Sequence, residues 1–345
     1  MLESVVVKNL SKTFFIQKFV PPPVKIYRKI MGIKPNLQSV RALKNISFEV
    51  NKGEIFGIIG PDGAGKTTLF RILATLLLPD QQANNHSHQH PFATIEGYDV
   101  MKDFNKIRDI LGYMPGRFSL YLDLSVEENL NFFATLFNTT IEKNYHLIKD
   151  IYSQIEPYKE RVAAALSGGM KQKLALCCAL IHKPAVLLLD EPTTGVDPVS
   201  RKEFWEILRY LKEQNITILV STPYMDEAGL CDRIALINRG EFISIDTPHH
   251  IISNFNEPLY SIEGDDMYQI LLDFRKNPHV KTCFTFGDTL HVTLKEEENN
   301  RETQKGDISR ALSLLLPFCS RNFTVKIINP TIEDCYMNLS QHVAH

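Results

Sequence analysis

The stretch Gly60-Pro61-Asp62-Gly63-Ala64-Gly65-Lys66-Thr67-Thr68 follows a compact apolar run, Ile55 to Ile59, and opens a helical pattern from Lys66 to Leu76. Strand, glycine-rich turn and helix in that order are the context a phosphate-binding loop requires, and the residues fit G-x-x-x-x-G-K-[ST]. Gly60, Gly63 and Gly65 let the backbone curl until successive amide N–H groups point inward at an anion. The helix beginning near Lys66 adds its positive end. In such a loop Lys66 reaches the terminal phosphates and the Thr67 hydroxyl ligates Mg2+. A glycine-rich turn without a ligand is the plain alternative, and the strand–loop–helix context argues against it.

Further along, a second apolar run, Ala185 to Leu189, ends abruptly in Asp190, Glu191 and Pro192. Asp190 stands where a strand-end carboxylate holds Mg2+ directly or through water. Glu191 points elsewhere and is placed to polarise an attacking water as general base. Read alone, the same residues serve equally to cap the next helix; the glycine-rich loop upstream weakens that reading. A third motif, Leu166-Ser167-Gly168-Gly169-Met170, opens a helix shortly before this strand. Serine and two glycines at a helix start make a second nest of amide donors. Two phosphate-binding helix starts and one nucleotide per chain imply a dimer in which each second nest closes over the other chain's loop.

Apolar runs at Ile55–Ile59, Ala185–Leu189 and Ile216–Val220 alternate with helical patterns, including Pro198 to Glu213. That alternation predicts an α/β core with a mostly parallel sheet. Earlier segments, Val5 to Val7 and Ala42 to Val50, read as strands, and Leu120 to Leu180 as mainly helical. Beyond about residue 245 the pattern changes to hairpin-like strands (PLYSIEG, TCFTFG, LHVTLK), an acidic polar loop and a helix near Ala311. The domains are therefore expected at residues 1–245 and 246–345.

The ordered motifs between residues 4 and 245 resemble the nucleotide-binding subunits of the ATP-binding cassette (ABC) family. The resemblance implies a P-loop NTPase fold with a RecA-like core, an antiparallel β subdomain and a helical arm, followed by a small α+β C-terminal accessory domain. It makes Gly60 to Thr68 the Walker A loop, with Pro61, Asp62, Ala64 and Thr68 among the nucleotide contacts. Phe14 in LSKTF is similar to the aromatic that stacks on adenine. Leu166 to Met170 becomes the signature that touches ATP in trans, Asp190 the Walker B metal ligand beside Thr67, Glu191 the catalytic base and Asp197 the dimer-communication residue. The phrases STPYMDEA and PTIEDCYMNL resemble subunits of two-component exporters of drug-efflux type. The resemblance thus implies a motor subunit that binds ATP and Mg2+ and works with a transmembrane permease subunit. It would lie on the cytoplasmic face of the cell membrane.

Two positions depart from that pattern. Gly116 stands where the family places a glutamine, with Arg117 next, and Pro223 where it places a histidine that senses the γ-phosphate. Proline offers neither a side-chain polar group nor a backbone N–H. Losing two contacts to the reacting phosphate predicts slower turnover, since one transition-state donor is often worth ~10²–10³ in rate. Two arrangements are open: a heterodimer with a subunit carrying the full catalytic set, or a homodimer that tolerates both changes. A non-catalytic, ATP-binding regulatory or scaffold subunit is the remaining alternative.

The 345 residues are 44% hydrophobic and 23% charged with a formal net charge of -2, enough for a sizeable core and poorly suited to a dedicated nucleic-acid binder. Too few residues separate Gly116 from Ser167 for the coiled coil of DNA-repair relatives. The opening MLESVVVKNLSK shows no secretory pattern, no apolar run approaches the ~20 residues of a membrane span, and the six cysteines form no CxxC pair. These features are expected of a reduced, cytoplasmic chain. Two insertions stand apart. Residues 16–41 carry Pro21 to Pro23, six cations and no acid, and are better read as a solvated loop between two strands than as a basic amphipathic surface element. His86, His88 and His90 alternate in a second insertion, better read as a polar hairpin tip than as a metal site.

Overall fold

The computed structural model describes residues 2–17, 37–80, 92–116, 120–295, 307–319 and 321–342. Most of the basic insertion, the three alternating histidines, Arg117 and most of the acidic loop lie outside the described residues. The chain divides into two compact units, Met1–Thr247 and Pro248–His345. Among the described residues no helix is long and apolar enough to cross a membrane.

The first unit begins with two long strands, β1 (Glu3–Gln17) and β2 (Leu37–Asn51), and the loop-bearing β3 (Ile55–Ile59) with helix α1 (Lys66–Leu73). There follow β4 (Ala93–Ile95), β5 (Tyr98–Asp99), α2 (Phe104–Ile110), β6 (Leu111–Met114), α3 (Val126–Leu136), α4 (Ile141–Tyr152) and α5 (Gly168–Leu180). The unit ends with β7 (Val186–Asp190), α6 (Pro198–Glu213), β8 (Thr217–Thr222), β9 (Arg233–Asn238) and β10 (Glu241–Asp246). Six strands form one sheet in the order β10-β9-β3-β8-β7-β6. All its pairings are parallel except β10 with β9. Every residue of β3, β7 and β8 is buried, as strands covered on both faces must be, which is why they read as unbroken apolar runs. A second, antiparallel sheet has the order β2-β1-β4-β5. One apolar cluster joins Val5, Leu10 and Ile46 of that sheet to Phe70 of α1 and to Ile58 and Leu188 of the main sheet.

The helices start where their caps dictate. Ser125 and Glu128 make a reciprocal capping box at the head of α3, and Thr140, Ser167 and Asp197 cap α4, α5 and α6. The helix expected to reach Leu76 stops at Leu73, because Thr75 takes a left-handed φ of 59°. The first two strands outrun their apolar cores: Phe15, Ile16, Leu37 and Val40 pair as strand yet stay exposed.

The second unit comprises α7 (Pro248–Ser253), β11 (Leu259–Gly264), α8 (Met267–Lys276), β12 (Val280–Phe286), β13 (Thr289–Leu294), α9 (Ile308–Leu315), β14 (Phe323–Ile328) and α10 (Ile332–His342). Its four strands are antiparallel in the order β12-β13-β11-β14, the βαββαβ arrangement of ferredoxin-like folds. Phe274 of α8 and Leu315 of α9 pack with Ile262 and Val292 in its own core. On the other face Asp334 of α10 accepts from Thr331 and pairs with His291 Nδ1 at 2.6 Å.

Candidate functional site

The glycine-rich loop leaves β3 at the carboxyl end of the sheet, where open α/β sheets bind ligands. Gly60 N donates to Thr222 O of β8 at 3.3 Å, and Gly240 N donates to Ala64 O at 2.9 Å, so neighbouring strands brace the loop. Gly65 has φ 111°, and a Cβ there would sit 2.6 Å from the Ala42 carbonyl; only glycine fits. Gly63 also has positive φ, but a Cβ there would meet nothing, which leaves open space over the loop. Lys66 is buried, with Nζ donating to Gly60 O at 2.8 Å and Pro61 O at 3.1 Å and lying 3.1 Å from Glu191 Oε1. Thr67 and Thr68 are half-buried in the first turn of α1, Pro61 and Asp62 are exposed, and Ala64 is buried.

Asp190 and Glu191 close β7 beside this loop. Asp190 is buried and accepts the Ser221 hydroxyl at 2.6 Å. Glu191 N donates to both Ser221 O and Ser221 Oγ at 3.0 Å, so Ser221 bonds the Asp190 carboxylate and anchors the Glu191 backbone, while Lys66 meets the Glu191 carboxylate. Glu191 takes a left-handed φ of 51°, a conformation non-glycine residues hold only when their surroundings impose it. Tyr113 on β6 is pushed up to about 12, by burial first and by the Asp190 charge second, and remains a neutral phenol. These carboxylates do not cap the next helix; Asp197 does, with Oδ1 accepting from Val199 N at 3.1 Å and Ser200 N at 3.0 Å.

The two departures fall on the same side. A Cβ at Gly116 would lie 3.1 Å from the Asp190 backbone carbonyl oxygen and 3.9 Å from Glu191 Cβ, so this position abuts the backbone that carries the carboxylate pair. Pro223 directly follows Thr222, whose carbonyl binds Gly60. Lys66, Asp190, Glu191, Gly116 and Pro223 are therefore one neighbourhood. Phe14 lies opposite Val40 in the β1–β2 ladder, two residues before the Ala42 that abuts Gly65, with Lys12 Nζ 5.6 Å from its ring centroid.

The Leu166–Met170 motif forms a second neighbourhood with Asp197. The Ser167 hydroxyl accepts from Met170 N at 3.3 Å at the head of α5. A Cβ on Gly169 would lie 2.8 Å from Ser200 Oγ, so the motif packs against the capped start of α6. Gln172, fully buried, donates from Nε2 to Pro192 O at 2.6 Å and joins the two neighbourhoods. Sequence reasoning passed over both Ser221 and Gln172. Each stands beside a recognised motif, and the available signal was a polar residue inside an apolar, buried element.

The residues suit a nucleotide phosphate chain with a divalent cation. The Lys66 amine is held in the loop by two carbonyls and a carboxylate, partners that phosphate oxygens can replace. Among the described residues no cluster of three or more His, Cys, Asp or Glu could hold a metal alone. One hydroxyl (Thr67) and one carboxylate (Asp190) match Mg2+, which keeps water and phosphate oxygens in most of its coordination sphere.

The family model for ABC transporters matches residues 43–194. The probable multidrug ABC transporter ATP-binding protein YbhF of Escherichia coli (strain K12) is 37% identical over 270 residues, covering 77% of this chain but only 45% of that protein. The Nod factor export ATP-binding protein I of Burkholderia lata is 34% identical over 271 residues, covering 76% of this chain and 84% of that one. Among solved structures, cbiO1 from Clostridium perfringens, part of the ABC transporter complex cbiONQ, superposes with a TM-score of 0.56 at 23% identity, covering 73% of this chain and 91% of that one. The dimeric, post-hydrolysis structure of an ATP-binding cassette with ADP and Pi gives 0.57 at 23% identity, over 70% of this chain and 98% of that one. The fold is that of an ABC cassette, and the chain belongs to the ABC transporter family as an ATP-binding domain.

Proposed function

We propose that this chain is the ATP-binding and ATP-hydrolysing motor subunit of an ABC exporter, working with a separate transmembrane permease subunit at the cytoplasmic face of the membrane. The observation that carries the proposal is the convergence of Lys66, Asp190, Glu191 and Ser221 at the ends of three adjacent strands. The loop amides and Lys66 bind and orient the phosphates, and Phe14 stacks on the base. Thr67 and Asp190 would hold Mg2+, which would supply charge neutralisation at the reacting phosphate. Glu191, held in position by Ser221, takes the proton of the attacking water. Leu166 to Met170 of a second cassette completes the site across a dimer, and Asp197 lies in the segment through which the two sites communicate.

An apolar cavity of about 450 Å3 suits the membrane partner. Met114, Pro115, Leu120, Phe133, Phe137 and Cys178 line it, and the chain passes from Pro115 straight to Gly116 beside Asp190. An apolar helix or loop of the permease seated there would bear on the Pro115–Gly116 segment next to the catalytic carboxylates. Because Gly116 and Pro223 supply no polar side chain, turnover by the isolated chain is expected to be slow, about 10²-fold below a cassette with both contacts.

Steady-state ATP hydrolysis tests this, comparing the purified chain with Glu191→Gln in Mg2+. The expected result is slow turnover by the wild type and none by the variant, with ATP still bound by both. Binding without hydrolysis by the wild type, alone and with a co-purified permease, would make it a non-catalytic regulatory subunit. Restoration of turnover by a second, different cassette would identify a heterodimer.

A further inference from the structure

Arg201, one turn into α6, makes more directional contacts than its surface position requires. Its backbone N–H donates to Asp197 O at 2.9 Å, inside the turn that carries the communication residue. Its guanidinium carbon lies 4.2 Å from the Tyr224 ring centroid, Nη1 donates to Asp226 Oδ2 at 3.2 Å, and Nε lies 3.7 Å from Glu227 Oε1. All three partners belong to the segment after β8 that begins at Pro223. That segment is tied to the phosphate loop, since Tyr224 N donates to Thr222 Oγ1 at 3.0 Å and Gly60 N to Thr222 O at 3.3 Å. On its other side Arg201 stands next to Ser200, which abuts Gly169 of the signature helix.

We infer that Arg201 is a positioning residue that links the segment after β8 to the Asp197 turn, and through it passes the nucleotide state of this chain's loop to its own signature motif. The inference rests on the motor function proposed for the chain. Pro223 has no side-chain group with which to sense a phosphate, so a response at this segment must pass through its other side chains. Tyr224, Asp226 and Glu227 are among those side chains, and one guanidinium faces all three. A planar fork that stacks and ion-pairs at once is a task for arginine that lysine cannot perform.

The pair with Glu227 is also slack. Glu227 is 1% exposed, and among the described residues neither of its carboxylate oxygens nor Arg201 Nε has a hydrogen-bond partner. A buried carboxylate without hydrogen bonds is costly, so a small shift that brings Nε within bonding distance is favourable. The proposed link is a shift of this contact from the open arrangement seen to a closed, hydrogen-bonded one. Nucleotide in the loop biases the closed one by moving Thr222 and the residues after it.

Hydrogen–deuterium exchange on the full chain, with and without Mg-ATP, tests the link. The variants are Arg201→Lys, Arg201→Met and the double variant Arg201→Met/Glu227→Gln, which strips the buried charge together with its partner and so protects the fold. In the wild type ATP is expected to slow exchange in residues 60–68, 223–230 and 195–200 alike. In the double variant protection should persist at 60–68 and 223–230 and vanish at 195–200, with kcat down about tenfold at unchanged KM, the mark of displaced geometry rather than lost substrate binding. Arg201→Lys should fall between. Full protection at 195–200 with wild-type kcat in the double variant, whatever its melting temperature, would reduce Arg201 to a structural ion pair and overturn the inference. If ATP protects nothing at 60–68 even in the wild type, the motor reading itself fails, and the link with it.

Discussion

At the scale of single residues, the least conspicuous member of the site has the largest geometric role. Ser221 donates to Asp190 and receives the Glu191 amide, so Ser221→Ala frees a buried carboxylate oxygen and loosens the left-handed Glu191. We expect Ser221→Ala to cost about 1–3 kcal/mol in stability. It should also lower kcat by ~10²-fold with little change in KM, measured by thermal unfolding and steady-state kinetics. His182 sits at the edge of the apolar cavity, stacked on Phe137 at 3.9 Å with Nε2 3.1 Å from Leu111 O. Burial pushes its pKa below the ordinary 6.5, so in the folded chain it stays neutral where the unfolded chain already binds a proton. The unfolded state then binds more protons just below pH 6.5, and stability must fall as the pH drops through that value. Melting curves between about pH 7.5 and 5.5 should show that acid slope in the wild type and a shallower one in His182→Phe; equal slopes would remove His182 from the account.

At the scale of elements, local rules made some pieces legible and left others silent. The apolar runs of β3, β7 and β8 announced themselves because both faces of those strands are buried, and Asp197 with Pro198 marked the start of α6 by its cap. The outer ends of β1 and β2 were unreadable, since Phe15, Ile16, Leu37 and Val40 pair through backbone while exposing their side chains without alternation. Helix α8 was missed in a strand-rich stretch because ten residues offer only Ile270, Leu271 and Phe274 as a buried stripe. The phosphate loop, both carboxylates and the signature were visible from motif and spacing; the hydrogen bonds that orient them were not, because Ser221 and Gln172 act across 31 and 20 positions of sequence. Gln172 is testable at this scale. Gln172→Leu loses the 2.6 Å bond to Pro192 O but also removes Oε1, which has no hydrogen-bond partner among the described residues. The two effects oppose, each worth about 1–3 kcal/mol, so the melting temperature should move by only a few degrees. What should change is the tie between α5 and the Glu191 turn: in a Glu191→Gln background, ATP-driven dimerisation followed by light scattering should need about tenfold more ATP than with Gln172 intact. Unchanged dimerisation would mean that α5 is held by packing alone.

At the scale of the molecule, every group proposed to touch nucleotide lies in Met1–Thr247, while Pro248–His345 closes a core of its own around Ile262, Phe274, Val292 and Leu315. A βαββαβ unit covers one sheet face with α8 and α9 and so carries the minimum a domain of this size needs to fold alone. Its second face is engaged as well, by α10 through the His291–Asp334 pair and the Cys335 Sγ contact to Ile251 O at 3.7 Å. Separate cores predict separate behaviour. Expressed alone, residues 248–345 should give a cooperative melt and the circular dichroism of a mixed α/β fold. Expressed alone, residues 1–247 should keep ATP binding and isolated-chain hydrolysis within roughly twofold of the full chain, because no catalytic hydrogen bond is cut. The informative variable is then dimer closure. If the second unit regulates it, residues 1–247 carrying Glu191→Gln will dimerise at an ATP concentration shifted about tenfold from that of the full-length Glu191→Gln chain, in whichever direction the unit acts. If it is only a packed extension, the two dimerisation curves will coincide. Loss of hydrolysis by a folded 1–247 fragment would defeat both versions, because it would place part of the working site beyond Thr247.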